Sequence, residues 1–470
     1  MSSKKLYYLS IAEAAQRIAA KELSPVELVE AHLERIAETA EKLNTFVTLL
    51  ADEAREAARK AEAEIQGGGY RGPLHGIPVG LKDLYYTRGI RTTMGSKIMG
   101  DFVPDYDAAV TESFHQAGAI LMGKLQMHEF ALGGTSENPH YGAARNPWNV
   151  DRITGGSSGG SGAAVASGQC MGALGSDTGG SVRIPAGACG IVGLKPTYGL
   201  VSRHGVFPLS HSLDTVGPMT RTVRDAAIIM NAIAGHDARD SSSANRPKED
   251  YTAGLDEGVR GLRVGVPQEY FYDVIDDEVA DAVKAAAAVL EGLGASVEDV
   301  SIPILDQSIP ISGALLLAEA AEVHMDNLRH RPDDLGADVR ARLQAGAATL
   351  ATDYVKAQRA RLVFNRDMSI AMNKYDLLLA PTVAMGAPRM DQELVAVGGG
   401  EQQKLAIMPR LTRPFNITGT PTVSVPCGFT SDGMPIGIQL SGRVFEDALV
   451  LRAAQAYENA TEWHTRRPPI

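Results

Sequence analysis

Three places in the chain carry residues that could cleave an amide. Lys82 stands at the end of the apolar run Gly76-Ile77-Pro78-Val79-Gly80-Leu81. Serines crowd into Gly155-Gly156-Ser157-Ser158-Gly159-Gly160-Ser161, and another closes Asp177-Thr178-Gly179-Gly180-Ser181. Amide hydrolysis needs a nucleophile that loses its proton, N–H donors for the tetrahedral oxyanion, and a proton for the leaving nitrogen. A serine hydroxyl attacks only with a base beside it, and a neutral lysine can be that base. Bringing a lysine from about 10.4 to near 7 costs about 4–5 kcal/mol, so burial must impose it. Lys82 fits by following an apolar strand; the competing reading is a solvated surface lysine. Thr178-Gly179-Gly180-Ser181 suits an oxyanion cage, since consecutive glycines let backbone N–H groups converge, although a tight turn with a capping serine has the same composition.

Glycine this dense is either a flexible linker or a tight backbone cage. The run continues into Ala163-Ala164-Val165-Ala166 and Cys170-Met171-Gly172-Ala173-Leu174, small apolar residues suited to burial, which favours the cage. Other chemistries fail on spacing. His128-Glu129 begins a zinc-protease motif, but Leu132 stands where the second histidine is needed. The glycine-rich loop lacks a P-loop lysine, since Gly160 is followed by Ser161, and no Cys/His cluster has metal-ligand spacing. Gly155-Gly156-Ser157-Ser158-Gly159 does match the nucleophile elbow of α/β-hydrolases. That elbow needs an apolar strand before it, and Asn149-Val150-Asp151-Arg152-Ile153-Thr154 is too polar.

The elements that must position these residues alternate along the chain. Residues 9–66 read as helices, with a capping box at Ser24-Pro25-Val26-Glu27 and a second amphipathic helix over 51–65. Strands are expected at 76–81, 119–122, 190–196, 262–267, 377–381, 423–426 and 436–440. Helices are expected over 107–117, 222–234 and 277–293. Residues 235–260 read as loop, and 386–407, with Gly398-Gly399-Gly400, as a lid. This alternation predicts an α/β protein with a central mixed sheet covered by helices on both faces. No linker interrupts it, so residues 1–470 read as one domain. Within it, N-terminal helices span 1–70, the core 71–235, a helical and strand excursion 236–380, and a part closing the sheet 381–470.

The 470 residues are 44% hydrophobic and 21% charged, with a formal net charge of −11 and no long basic run. Nucleic acid and anionic membranes are therefore not expected partners. Cys170, Cys189 and Cys427 are odd in number and lie in apolar or glycine-rich settings, which predicts buried free thiols and a cytoplasmic, reducing location. Lys4-Lys5 is followed by no apolar run of a signal peptide, and the longest apolar candidate, Ile311 to Ala318, is too short to span a membrane.

From about residue 9 to the C-terminus the chain resembles the amidase signature family. The resemblance is carried by Gly-Leu-Lys82-Asp, by Gly-Gly-Ser157-Ser-Gly-Gly-Ser, by Gly-Ser-Asp177-Thr-Gly-Gly-Ser181-Val-Arg-Ile-Pro-Ala and by Cys189-Gly-Ile-Val-Gly-Leu-Lys-Pro-Thr. It implies the fold of that family and a Ser–cisSer–Lys triad without metal or cofactor. Ser181 would attack and carry the acyl group, Ser157 would bridge, and Lys82 would be the neutral base. The N–H groups of Thr178, Gly179 and Gly180 would hold the oxyanion, and the Gly156–Ser157 peptide would be cis. By the same similarity Ala131 and Leu132 would line the acyl pocket, where an aryl or alkyl group fits. Asp177 and Arg183 read as structural.

Two classes of member compete. A glutaminase subunit of a tRNA-dependent amidotransferase uses an acidic residue shortly before a segment like Asn416-Ile417-Thr418-Gly419, and Met408 to Phe415 holds none. Leu125-Gln126-Met127-His128-Glu129-Phe130 also departs from that subunit's Thr-Asn-Met-Asp-Glu-Phe. Both departures favour a free-standing amidohydrolase of small aryl or alkyl amides, with anilides, carbamates and esters sharing the tetrahedral path. The expected partner is a small-molecule amide, and a homodimer is the expected assembly.

Overall fold

Alternating apolar strands and amphipathic helices build one eleven-stranded mixed sheet with helices on both faces. The computed structural model describes residues 6–470, so Lys4-Lys5 lies outside the described residues. In chain order the sheet strands are β1 Phe46–Leu49, β2 Pro78–Lys82, β3 Ile120–Leu125, β4 Gly172–Asp177, β5 Val192–Lys195, β6 Thr215–Thr220, β7 Arg263–Pro267, β8 Ser296–Val300, β9 Leu377–Pro381, β10 Thr422–Phe429 and β11 Pro435–Ser441. Their spatial order is β1-β3-β2-β4-β6-β5-β10-β11-β9-β7-β8. β3, β2 and β4 run parallel, as do β9, β7 and β8, while the centre from β4 to β9 is antiparallel.

The two-residue period of a strand sends neighbours to opposite faces. In β4, Leu174 joins a core with Val79, Leu81 and the helices Ile11–Ala19, Val223–Ile233 and Asp447–Asn459. Ala173 joins the opposite core, with Ala164 and Val165 and the helices Pro25–Leu43 and Ala51–Gln66. A further core gathers the helices Ser308–Val323 and Ala351–Met372 beside β9. The stretch Pro303–Val323 has the length and hydropathy of a membrane span, but Ile311 and Leu315 are buried in that core.

Several elements depart from the sequence reading. β1, β4, β6 and β8 fall outside the expected strands. The 386–407 segment contains an antiparallel hairpin, Leu394–Val397 with Gly400–Gln403, and a short helix Lys404–Ile407. Ser24 caps its helix by accepting from the N–H of Val26 and Glu27, but its own hydroxyl donates to Glu62.

Parallel β2 and β4 pair Leu81 with Leu174, so both strands end on the same edge of the sheet. That register brings Lys82 beside Ser176 and Asp177. Close packing of the neighbouring strands requires glycine at 217, where a Cβ would stand 2.1 Å from the Leu194 carbonyl oxygen. Backbone cannot yield as a side chain can. Gly217→Ala should therefore cost about 1–3 kcal/mol, read as a lower urea midpoint at unchanged m; an unchanged midpoint would contradict the packing.

Candidate active site

Lys82 is fully buried at the end of β2. Its Nζ lies 2.7 Å from Ser157 Oγ and 2.8 Å from Ser176 Oγ. A neutral amine has two hydrogens and one lone pair, so it can donate to one hydroxyl while accepting from the other. Burial pulls the Lys82 pKa down, Asp214 and Asp177 pull it back up, and it settles at about 7. At neutral pH the Lys82 amine is thus divided between its neutral and protonated forms.

Ser157 precedes the helix Gly159–Ala166, and the Gly156–Ser157 peptide is cis. Its carbonyl accepts from His128 N at 3.0 Å and Ser136 Oγ at 3.2 Å, which hold the loop. Ser158 is occupied elsewhere: its hydroxyl donates to the Ser176 carbonyl and accepts from the Ser176 N–H, both at 3.3 Å. Ser157 is therefore the serine of the pair that meets Lys82. At Gly156 and Gly159 a Cβ would collide with residues 135 and 136, so the glycines here are the condition for close approach.

Ser181 follows the Thr178–Gly180 loop and is 7% exposed, enough to face a cavity. The loop is clamped from below. Arg183 reaches both oxygens of the Asp177 carboxylate at 3.0 Å, and each residue is fully buried. The other edge of the guanidinium donates to Gln439 Oε1 at 2.9 Å and Asn416 Oδ1 at 2.7 Å. Burial works against the Asp177 carboxylate, but Arg183 and Asn416 hold it at about 2. Asp177 and Arg183 are thus a buried, ionised truss behind Ser181.

At Gly180 the structure differs from the expected oxyanion set. Its N–H donates to Asp177 Oδ1 at 2.8 Å, and this charge-assisted bond removes it from the cage. Gly180 serves geometry instead: φ is +124°, and a Cβ would stand 2.0 Å from Thr412 Oγ1. Thr412 Oγ1 donates to the Gly179 carbonyl at 2.6 Å and so turns that peptide's edge. Thr178 is fixed by its hydroxyl, which donates to Asp214 at 2.6 Å.

The cavity in front of Ser181 holds about 260 Å³ and includes Ala131, Leu132, Thr178, Gly179, Ile184 and Leu316. Two further lining residues, Arg342 and Arg413, lie outside the expected set. Arg342 donates to the Leu132 carbonyl at 3.2 Å, and Arg413 to Ser312 Oγ at 3.2 Å. Neither forms an ion pair with a carboxylate of the described residues. Burial lowers both pKa values; the field of Asp338 offsets this in part for Arg342, and Arg342 repels Arg413. The pocket expected to be apolar at Ala131 and Leu132 is therefore also lined by two guanidinium groups.

Sequence reasoning missed Ser176, Asp214, Thr412, Arg342 and Arg413. Ser176 had a signal, since it immediately precedes Asp177 in the glycine-rich motif. The others come from distant segments. Arg342 is delivered through the contacts of His128 Nε2 with Asp338 at 2.9 Å and of the Gly336 N–H with Glu129 at 2.7 Å.

Removing one member of a buried ion pair strands the other, at a cost of about 3–5 kcal/mol. Arg183→Met should lower unfolding stability by that order and release Gly180 and Val182 from the carboxylate. The check is chemical denaturation; a loss under about 1 kcal/mol would show that Asp177 does not depend on Arg183.

An Amidase family model matches residues 27–451. The chain is 42% identical over 489 residues to the A-subunit of the glutamyl-tRNA(Gln) amidotransferase of Chloroflexus aggregans, covering 99% of both proteins. Among solved structures, one reported for a vestigial protein complex and the origins of an s-triazine catabolic enzyme superposes with a TM-score of 0.93 at 35% identity, covering 96% of this chain and 98% of that one. A bacterial aryl acylamidase superposes with a TM-score of 0.91 at 30% identity, covering 98% of each chain. With its fold, its glycine-rich serine loops and these relatives in agreement, the chain belongs to the amidase signature family, hydrolases of amide C–N bonds.

Proposed function

We propose that this hydrolase cleaves amides whose acyl half ends in a carboxylate and carries no ammonium group. The observation behind it is the pair Arg342 and Arg413, two guanidinium groups turned to the cavity of Ser181 without an ion-paired protein carboxylate. Both are half-buried, a setting in which an unpaired charge is costly, and a planar guanidinium recognises a carboxylate through parallel N–H donors. The ligand is the missing partner. The hydrolase of small aryl or alkyl amides expected from sequence is narrowed in this reading to substrates with an acidic acyl half.

In the proposed sequence, Ser181 Oγ attacks the carbonyl carbon as its proton passes to Ser157 Oγ, whose own proton passes to Lys82 Nζ. The oxyanion rests against backbone N–H groups of the 178–181 loop. Lys82 returns its proton through Ser157 to the leaving nitrogen, the C–N bond breaks, and the acyl group stays on Ser181. Water then repeats the transfer and frees the acid.

The relatives favour a second reading, a glutaminase subunit working within an assembly. It is supported by 42% identity across the whole length to a protein named as the A-subunit of an amidotransferase. Against glutamine stands the lining of the cavity, whose described residues include no Asp or Glu to meet its α-ammonium. The monoamide of glutaric acid is glutamine without that ammonium, so the two substrates separate the readings. The monoamide should exceed both L-glutamine and butyramide in kcat/KM. Arg413→Leu and Arg342→Met should each cost its kcat/KM about 10–100-fold, the scale of a lost charge-assisted pair, and leave butyramide nearly unaffected. Glutamine turnover that rises on adding partner subunits from a relative's assembly, with no response to the monoamide, would favour the second reading.

A further inference from the structure

A second cavity, of about 220 Å³, shares Ala131 and Leu209 with the first and reaches Ser176, which lies against the Lys82 amine. Its floor includes Ser176, the second partner of the Lys82 amine, and Asp214, the partner of Thr178. We propose that this cavity seats the departing amine, and that the substrates carry an N-alkyl or N-aryl group there instead of a bare NH2.

Given the Ser181–Lys82 chemistry proposed above, the direction follows from proton delivery. The oxyanion lies against the 178–181 loop and the acyl chain extends along the cavity of Arg342 and Arg413. The leaving nitrogen must face the groups that protonate it, Ser157 and Lys82, and that is the side on which Ser176 opens to the second cavity. Size then identifies the occupant. One water-sized molecule such as ammonia needs only roughly 10–15 Å³, so the cavity is many times larger than a primary amide requires.

Its chemistry narrows the occupant further. Its walls include the apolar side chains of Leu84, Ala131, Val206, Phe207 and Val216. The charges at the mouth are matched within the protein: Arg239 pairs with Glu112 at 2.7 Å and Asp237 at 3.0 Å, and Arg203 lies 3.6 Å from Asp240. The first cavity leaves two cations without an ion-pair partner among the described residues, whereas each arginine of this one has its own. At the floor the Asp214 carboxylate is taken up by the Thr178 hydroxyl and the N–H groups of Leu209 and Ser210, so the amine this cavity takes is uncharged and apolar beside the reacting nitrogen. Ala131 stands between the cavities in a left-handed turn, with φ of +59°, where a larger side chain would divide the acyl and amine halves.

The test compares one acid in several amides: glutaric acid monoamide, its N-phenyl form and its N-(biphenyl-4-yl) form, with butyramide and N-phenylbutyramide as the uncharged pair. Val206→Trp fills the inner cavity and should lower the ratio of N-phenyl to primary-amide kcat/KM at least tenfold. Ser241→Trp, at the exposed rim and without consequence for folding, should do the same to the ratio for the biphenylyl amide. Ratios unmoved in both variants, or a wild-type enzyme that turns over only primary amides, would make the cavity a passage for ammonia or water and overturn the inference. Should only the butyryl pair be hydrolysed, the acidic-acyl proposal fails while the N-phenyl ratio still decides this one. No turnover of any amide would overturn both.

Discussion

An amine that must stay uncharged at neutral pH has to be kept away from water, and the site is arranged around that requirement. Moving the Lys82 pKa from 10.5 to about 7 corresponds to about 5 kcal/mol of lost ammonium solvation. The cost is met by depth: Lys82 ends a strand third from the edge of an eleven-stranded sheet, under the glycine-rich loops that carry Ser157 and Ser181. Its sign sets a pH dependence for the fold as well. Between about pH 7 and 10.5 the unfolded chain binds a proton at Lys82 that the folded chain does not, so this site adds stability as pH rises through that window. Below about 7 the penalty is present in full.

The interior treats its charges in three ways, and each has a different consequence. Lys82 meets only hydroxyls, so it can give up its charge and act as a base. Asp177 and Arg183 satisfy each other along two bonds, stay ionised, and fix the backbone behind Ser181. Arg342 and Arg413 are half-buried at the cavity of Ser181 without an ion-paired carboxylate, and in the proposed function a ligand completes them. In the proposed account, base, scaffold and specificity thus differ by the partner each charge is given.

Much of this was legible in the sequence because it is local. The glycine–serine runs, Lys82 after an apolar strand, and the strands at 76–81, 377–381 and 436–440 are short-range patterns, and the α/β layering follows from their alternation. What was missed is either weakly patterned or assembled over distance. β4 reads Gly-Ala-Leu-Gly-Ser-Asp, small residues with little strand preference, and is held by two neighbouring strands. β6 contains Pro218, which argues against a central strand, while β1 and β8 are short and only partly buried. Arg342 and Arg413 sit far apart in sequence, each in surroundings that resemble an ordinary surface, and their convergence exists only after folding. Gly180 shows a subtler limit: its motif suggested an oxyanion donor, but the Asp177 carboxylate three residues away claims its N–H.

The claim on which the rest depends is that the Lys82 amine titrates near neutrality. It is tested most directly by the pH dependence of the acylation of Ser181, followed in single turnover with a slowly deacylated substrate. Only the neutral amine can take the proton relayed by Ser157, so the rate should rise through a single ionisation at about pH 7, level above about pH 8, and fall to about one tenth of the plateau at about pH 6. A rate that keeps rising to an ionisation near about pH 10, where a solvated lysine loses its proton, would contradict the account.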